Sequence, residues 1–270
     1  MPRGISERNR TLLDRLHRAA DGPFTAGQAA EWLSLEDGRS RRFLAYLVER
    51  GWLARVRRGL YALVPLGASD PSAWREDPWV VAARSFAPCY VGGWSACEHW
   101  GLTEQIFRDV VVITGRPIRE RRIVIQGTPF RLKLLSGSEH FGTRAVWRER
   151  VRVRVSDPSR TLVDLLDDPA LGGGMTHVSA VLVTYFVGEH RDDALLVEYA
   201  TRRGNRTVFK RLGYLLETFG IDAPNLVASC RKAMSTGVTL LDPTAAARGR
   251  IVKRWNLRVN VGLRKAEHAS

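Results

Sequence analysis

The chain predicts an α+β protein: an N-terminal winged helix-turn-helix followed by a larger mixed α/β C-terminal domain. Three observations carry this. Residues 6–64 read as three short amphipathic helices and a two-strand hairpin. A cluster of small and turn residues, Pro65, Gly67, Ser69, Pro71 and Ser72, interrupts the pattern before Asp77-Pro78. Beyond it, alternating apolar strands give way to helical stripes from Pro158 onward. The predicted organisation is a winged helix over residues 1–65, a linker over 66–78 and a C-terminal domain over 79–270.

The first helix is expected from Ser6, as N-cap, to Ala20, burying Leu12, Leu13 and Leu16. Asp21-Gly22-Pro23 breaks it, and Thr25 caps a second helix carrying Ala29, Ala30, Trp32 and Leu33. The third begins near Asp37 or Ser40 and ends at Arg50-Gly51, with Phe43, Leu44, Leu47 and Val48 as its buried stripe. Its opposite side carries Arg42, Ala45, Tyr46 and Glu49, flanked by Arg39 and Arg41. A small residue between long donors is what close approach to a groove floor requires. The hairpin from Leu53 to Val64 then takes Arg55, Arg57 and Arg58 into a turn at Gly59, where a tight hairpin needs positive φ. Arg39, Arg41, Arg42 and Tyr46 on the helix, with Arg55, Arg57 and Arg58 on the wing, form the expected DNA-binding surface.

In the C-terminal part, helices are expected at Trp79 to Phe86 and Ser95 to Gly101. Strands follow near Asp109–Thr114, Arg121–Gln126, Phe130–Leu135, Ala145–Trp147 and Val151–Val155. In the last, Val151, Val153 and Val155 alternate with Arg150, Arg152 and Arg154, the period of a half-buried strand. Residues 169–188 lack charge, but their convincingly apolar part is about half of the roughly 20 residues a membrane span needs, so a buried helix is expected. A final strand is expected from Ile251 to Val261, with Arg254 and Arg258 on one side. Arg150, Arg152 and Arg154, Arg206 with Lys210 one turn on, and Arg254 with Arg258 are candidates for a second basic surface. Such a stripe is either a solvated sheet face or a contact for DNA, RNA or a toxin.

Composition bounds the function. The chain has 270 residues, 44% of them hydrophobic, and 42 Lys and Arg against 28 Asp and Glu, a net charge of +14. That surplus suits a polyanionic partner, nucleic acid before an anionic membrane. The charged N-terminus lacks the apolar core of an export signal, and three cysteines without a CxxC pair support neither a disulfide framework nor a zinc ribbon. A reduced, cytoplasmic protein is expected, with no cofactor and no metal.

Enzyme signatures fail in turn, and no catalytic residue is assigned. Gly93-Trp94-Ser95-Ala96-Cys97 resembles a nucleophile elbow but ends in Cys where the strained turn needs Gly. No phosphate-binding loop or dinucleotide fingerprint is present. No lysine follows an acidic residue by two positions, as a restriction-type nuclease strand would require. Gly137-Ser138 matches the turn of a nucleotidyltransferase, yet no Asp-x-Asp follows. Asp164, Asp167 and Asp168 near a helix end are expected to face solvent.

Several segments in order resemble AbiEi-type antitoxins. They are residues 54–61 of the wing, Tyr90-Val91-Gly92-Gly93-Trp94-Ser95-Ala96 running on to Gly101-Leu102-Thr103, and Asp157-Pro158-Ser159-Arg160-Thr161-Leu162-Val163-Asp164. Arg211-Leu212-Gly213-Tyr214-Leu215-Leu216-Glu217 follows, then Leu241-Asp242-Pro243 leading to Arg254-Trp255-Asn256-Leu257-Arg258-Val259-Asn260. The resemblance implies the antitoxin of a type IV (abortive infection) toxin–antitoxin pair. Its winged helix would repress the operon by binding inverted repeats in its own double-stranded promoter DNA. Its C-terminal domain would counteract a nucleotidyltransferase-like toxin, with no direct complex required and no membrane involved. A winged-helix regulator without antitoxin activity is the alternative.

Overall fold

A computed structural model describes residues 5–263. The winged helix comprises α1 (Glu7–Ala19), β1 (Phe24–Thr25), α2 (Ala26–Leu33), α3 (Asp37–Glu49), β2 (Leu53–Arg57) and β3 (Leu60–Leu63). Ser6 takes the N-cap position of α1, but its side chain makes no capping hydrogen bond. Thr25 does cap α2: its Oγ1 accepts from the Gln28 amide at 3.2 Å, and Gln28 Oε1 accepts from the Thr25 amide at 2.9 Å. Leu16, Phe24, Ala29, Leu33, Leu44, Leu47 and Leu53 close the core of this unit. Val48, expected in the buried stripe, and Leu12 are only half-buried at its margin. Gly51 (φ 78°) and Gly59 (φ 79°) supply the left-handed turns that end α3 and reverse the wing. The sheet also contains β1, which pairs antiparallel with β3; two residues are too few for the alternating pattern that marks a strand.

After an irregular segment come α4 (Pro78–Ser85), β4 (Cys89–Val91), α5 (Gly93–His99), β5 (Val110–Thr114), β6 (Arg122–Ile125), β7 (Thr128–Leu134), β8 (Thr143–Arg148) and β9 (Val151–Ser156). They build a six-stranded mixed sheet in the order β6-β7-β5-β4-β9-β8. β4, which the sequence did not suggest, lies near the middle, antiparallel to β5 and parallel to β9. Helices α6 (Pro158–Asp167), α7 (Met175–Val187), α8 (Asp193–Arg203), α9 (Thr207–Phe219) and α10 (Pro224–Ala233) follow. The uncharged stretch thus becomes α7, whose Val178, Val181 and Leu182 are completely buried. Among the described residues no helix is long and apolar enough to cross a membrane.

The end of the chain departs from expectation. A single strand from Ile251 to Val261 is replaced by β11 (Arg250–Val252), a 3-10 turn over Lys253–Trp255, and β12 (Leu257–Val259), which doubles back antiparallel on β11. Asn256 takes φ 48°, and that left-handed residue makes the reversal. β10 (Thr239–Leu240) adds to β12 in parallel. The reversal drives Trp255 into the core, against Gly213 of α9, where any side chain would collide with the indole.

The central strands of the large sheet are covered on both faces, while one face of the β8–β9 edge stays open to solvent. Tyr90, Val111 and Ile113 point to the helices, whereas Val112, Phe130, Val151, Val153 and Val155 point to α4. This second face is completed from outside the domain: Val56, Leu60 and Ala62 of the wing enter the same apolar core as Val80, Val81 and Phe86. Gly22, at the α1–β1 corner, makes a second close approach. A Cβ placed there would stand 2.6 Å from Val151 Cγ2. The winged helix and the sheet are therefore packed as one body through the underside of the wing.

Leu60→Ala tests that joint. Truncating a nearly buried leucine in a mixed core should cost about 2–5 kcal/mol. Urea denaturation should show the loss in one transition shared by near-UV signals from both parts. Two separated transitions already present in the wild type would contradict a shared core.

Candidate nucleic-acid interface

Helix α3 is held at its start by Ser40, a fully buried residue whose Oγ donates to the Ala26 carbonyl at 3.0 Å. That bond and the packing of Phe43, Leu44 and Leu47 fix the helix against α2. Arg39, Arg41 and Arg42 are consequently all exposed on its first half, with Ala45 exposed a turn later. Arg41 lies 4.0 Å from Asp37 with both side chains largely in water, a separation at which an ion pair contributes little. Tyr46 is less available than its position on the helix suggests. Its ring stacks beside Phe43 at 6.4 Å between centroids, and the Arg50 guanidinium lies 4.9 Å from its centre.

On the wing, Arg55 and Arg57 leave β2 into solvent while Val56 between them is buried. Arg55 lies opposite Tyr61, and the ladder then slips so that Arg57 faces Leu60. This bulge adds twist just before the turn, where Arg58 is exposed beside Gly59. A cleft of about 960 Å³ opens between the end of α3, β2, residues 70–75 and the β6–β7 turn, and Arg50, Arg55 and Arg75 border it. Arg75 is turned back on its own backbone, donating to the Ser72 and Trp74 carbonyls.

In the C-terminal part the candidates divide. Arg150, Arg152 and Arg154 project into solvent from β9 and the turn before it, as the alternation predicts. The others do not join them. Lys210 is fully buried on α9 and donates to the Gly237 carbonyl, so it is no part of a surface. Arg206, four residues earlier, holds the end of α10 by donating to the Ala233 and Met234 carbonyls. Arg254 pairs with Glu217 at 2.7 Å, and half-buried Arg258 donates to the Gly249 carbonyl at 3.3 Å. These four side chains hold together α9, α10 and the small terminal sheet.

The acidic residues also depart from expectation. Asp164 is almost wholly buried, 2.9 Å from Arg160, which is itself completely buried. Tyr90 donates its hydroxyl hydrogen to Asp164 at 2.9 Å, and Arg160 donates to the Tyr90 oxygen at 3.1 Å. Burial raises the Asp164 carboxyl against the pull of Arg160. Asp167 accepts from Lys133 and Arg203 at 3.0 Å and from Asn205 at 2.7 Å. Burial alone would raise Asp167, but Lys133, Asn205 and Arg203 outweigh it and hold the carboxyl below its ordinary range. Asp168 shares Lys133. The Gly93–Cys97 segment opens α5, with Ser95 Oγ accepting from the Val111 amide at 3.0 Å. Burial pushes the Cys89 and Cys230 thiols up to about 12 and Cys97 further. Among the described residues no three His, Cys, Asp or Glu side chains converge as a metal site.

Two features escaped the sequence reading. Trp147 stands 63% exposed beside Arg152. Arg119, Arg121, Arg122 and Arg131 border a second hollow of about 570 Å³ at the β6 edge, in which Arg122 is paired with Asp109 and Arg131 lies over Trp94. The run from Arg116 to Arg122 was the available signal for it.

Comparison with known proteins bears on the first of these surfaces. Residues 4–64 match the family model described as a transcriptional regulator, AbiEi antitoxin. The matched stretch is the winged helix; the further segments that resemble the family lie outside it. The RV2827C protein from Mycobacterium tuberculosis has a crystal structure similar to this chain, with a TM-score of 0.66 and 18% identity over 94% of this chain and 92% of that one. At that identity the likeness concerns the fold. No curated protein matches the chain.

The Asp167 cluster predicts acid sensitivity. Because the folded carboxyl titrates below its ordinary value of 3.8, its contribution is intact at neutral pH and is lost as pH falls through 3.8 and below. Denaturation midpoints at pH 7 and pH 3 should differ less in Asp167→Asn than in the wild type. An equal difference in both proteins would remove Asp167 from the account.

Proposed function

We propose that this chain is a transcriptional repressor and antitoxin of the AbiEi kind. It binds inverted repeats in its own promoter through α3 and the wing, in the cytoplasm, without cofactor and without catalysis of its own. The remainder of the chain counteracts a nucleotidyltransferase-like toxin encoded beside it, the two proteins needing no tight complex, as in type IV pairs. The observation that supports this best is the family match over the residues that carry the exposed arginines of α3 and the wing.

In this reading the two groups of arginines do different work. Arg42, at the exposed middle of α3 beside the small Ala45, is suited to a bidentate contact with guanine in the major groove. Arg39 and Arg41 flank it. Arg55, Arg57 and Arg58 neutralise phosphates, giving affinity and register rather than sequence choice. Tyr46, with its ring already packed, presents only an edge. Because the wing is anchored from beneath, its arginines are held at a set position relative to α3, so little ordering is required on binding.

The end of the family match at residue 64 keeps a second reading in view, a winged-helix regulator without antitoxin activity. Co-expression with an adjacent nucleotidyltransferase gene separates the two. The full chain carrying Arg42→Ala and Arg57→Ala is the better reagent than a truncation, because removing residues 1–65 would uncover the core shared with Leu60. Rescue of growth by this variant assigns neutralisation to the C-terminal part; failure of the wild type to rescue leaves the plain regulator.

For DNA itself, Arg42→Ala should cost about 1–3 kcal/mol and relax preference at one base pair. Arg57→Ala should weaken all sequences alike and reduce the salt slope by about one. Titrations of promoter and scrambled duplexes at several salt concentrations measure both. A change of sequence preference in Arg57→Ala but not in Arg42→Ala would reverse the roles of helix and wing.

A further inference from the structure

The β8–β9 hairpin holds five arginines and one carboxylate between Thr143 and Ser156. Two of the arginines are committed to the protein: Arg144 lies 5.5 Å from the Trp100 ring and Arg148 4.4 Å from that of Trp79. The other three, Arg150, Arg152 and Arg154, face outward, and none forms an ion pair among the described residues. The ladder sets Trp147 opposite Arg152 and Ala145 opposite Arg154, and directly opposed residues share a face. Trp147 is 63% exposed, with the Arg152 guanidinium 5.8 Å from its ring centre. On the reverse face Val151, Val153 and Val155 are locked in the core, so the outward side chains stand on a rigid base.

We propose that this outward face is a binding platform for single-stranded nucleic acid, with Trp147 stacking on a base and Arg150, Arg152 and Arg154 holding the backbone. The charge excludes a second copy of the same face, since three unpaired arginines would meet three others. It calls for a polyanion. The aromatic side chain then decides between forms of polyanion. A duplex offers phosphates, but its base faces are already stacked on one another and leave an exposed indole without a partner. An unpaired strand offers both, and stacking of bases on aromatic residues beside a cationic track is how sequence-tolerant single-strand binders work. Alternate residues of a strand repeat about every 6.8 Å, comparable with the phosphate spacing of an extended single strand. Ala145, the only other side chain between Trp147 and Thr143 on this face, is too small to obstruct the track. The platform shares no residue with α3 or the wing, and it does not depend on the operator reading.

Fluorescence polarisation with the full-length protein and labelled oligo-uridylate, oligo-deoxythymidylate and promoter duplex tests it. Trp147→Ala should weaken both single strands by roughly tenfold and leave duplex affinity unchanged, the loss of about one base–aromatic stack. Trp147→Phe should retain most of the single-strand affinity. Arg152→Glu with Arg154→Glu should weaken the single strands and flatten their salt dependence. Arg57→Ala should do the reverse, lowering duplex binding while sparing Trp147-dependent single-strand binding, so failure of the operator reading is distinguishable from failure here. All of these positions are exposed, and thermal melts verify that the variants fold. Tighter binding of the uridylate identifies RNA as the natural strand, and tighter binding of the thymidylate identifies DNA. The proposal is overturned if Trp147→Ala leaves single-strand affinity intact, or if it lowers single-strand and duplex affinity equally.

Discussion

Val56, Leu60 and Ala62 turn away from the helices of the winged unit and enter a core otherwise made by α4 and one face of the six-stranded sheet. A wing in isolation has one face on its own helices and one in solvent. Here the second face is apolar and covered, so the hairpin is pinned from both sides. The consequences reach in both directions. The basic residues of the wing stand at a set distance from α3, and the sheet loses an apolar surface that would otherwise lie open. Gly22 repeats the constraint at the other corner, where the α1–β1 turn meets Val151 too closely for any side chain.

Charge in this chain is divided between structure and surface. Arg160, Lys210 and Arg211 are buried, and each has partners: Arg160 has Asp164 and Tyr90, Lys210 a carbonyl, and Arg211 the carbonyls that end α6 and that of Leu240, although Arg160 Nη1 and Arg211 Nε make no hydrogen bond among the described residues. A buried cation without such partners would carry a desolvation cost of several kcal/mol. These groups tie helices to the sheet and to the terminal strands, and they cannot reach a polyanion. Among the cations that remain exposed are the sets on α3, on the wing, on the outward face of β9 and at the β6 edge. The net charge of +14 therefore overstates the cations available for contact, and their placement is more informative than their number.

Much of this was legible in the sequence. The winged helix was readable because its helices are short and amphipathic, because Thr25 caps the second, and because glycine stands where α3 ends and where the wing reverses. β9 was readable from strict alternation of valine and arginine. β4 was not: three residues between Pro88 and Gly92 are too short to display a period, although they hold the centre of the sheet. The hairpin of β11 and β12 was missed because alternation runs through Trp255 and Leu257, and a left-handed Asn256 is invisible to a pattern of polarity.

The candidate residues divide along the same line. Local period alone determined that Arg39, Arg41 and Arg42 lie opposite the buried stripe of α3, and that Arg150, Arg152 and Arg154 share one side of β9. Glycine marked the turns at Gly51 and Gly59, but nothing local marked the reversal at Asn256. Only the tertiary structure decided which sides of α6 and α9 are covered. Spacing states which residues lie together on a helix, but not how many neighbours the helix has. With partners all round, charged groups went inside: Lys210 meets the Gly237 carbonyl brought there by a later part of the chain, and Arg160 pairs with Asp164 one turn on along α6, the pair being completed by the hydroxyl of the distant Tyr90. The sealing of the wing against the sheet was likewise beyond local reading, since Leu60 and Val151 are separated by ninety residues and meet only when both domains are folded.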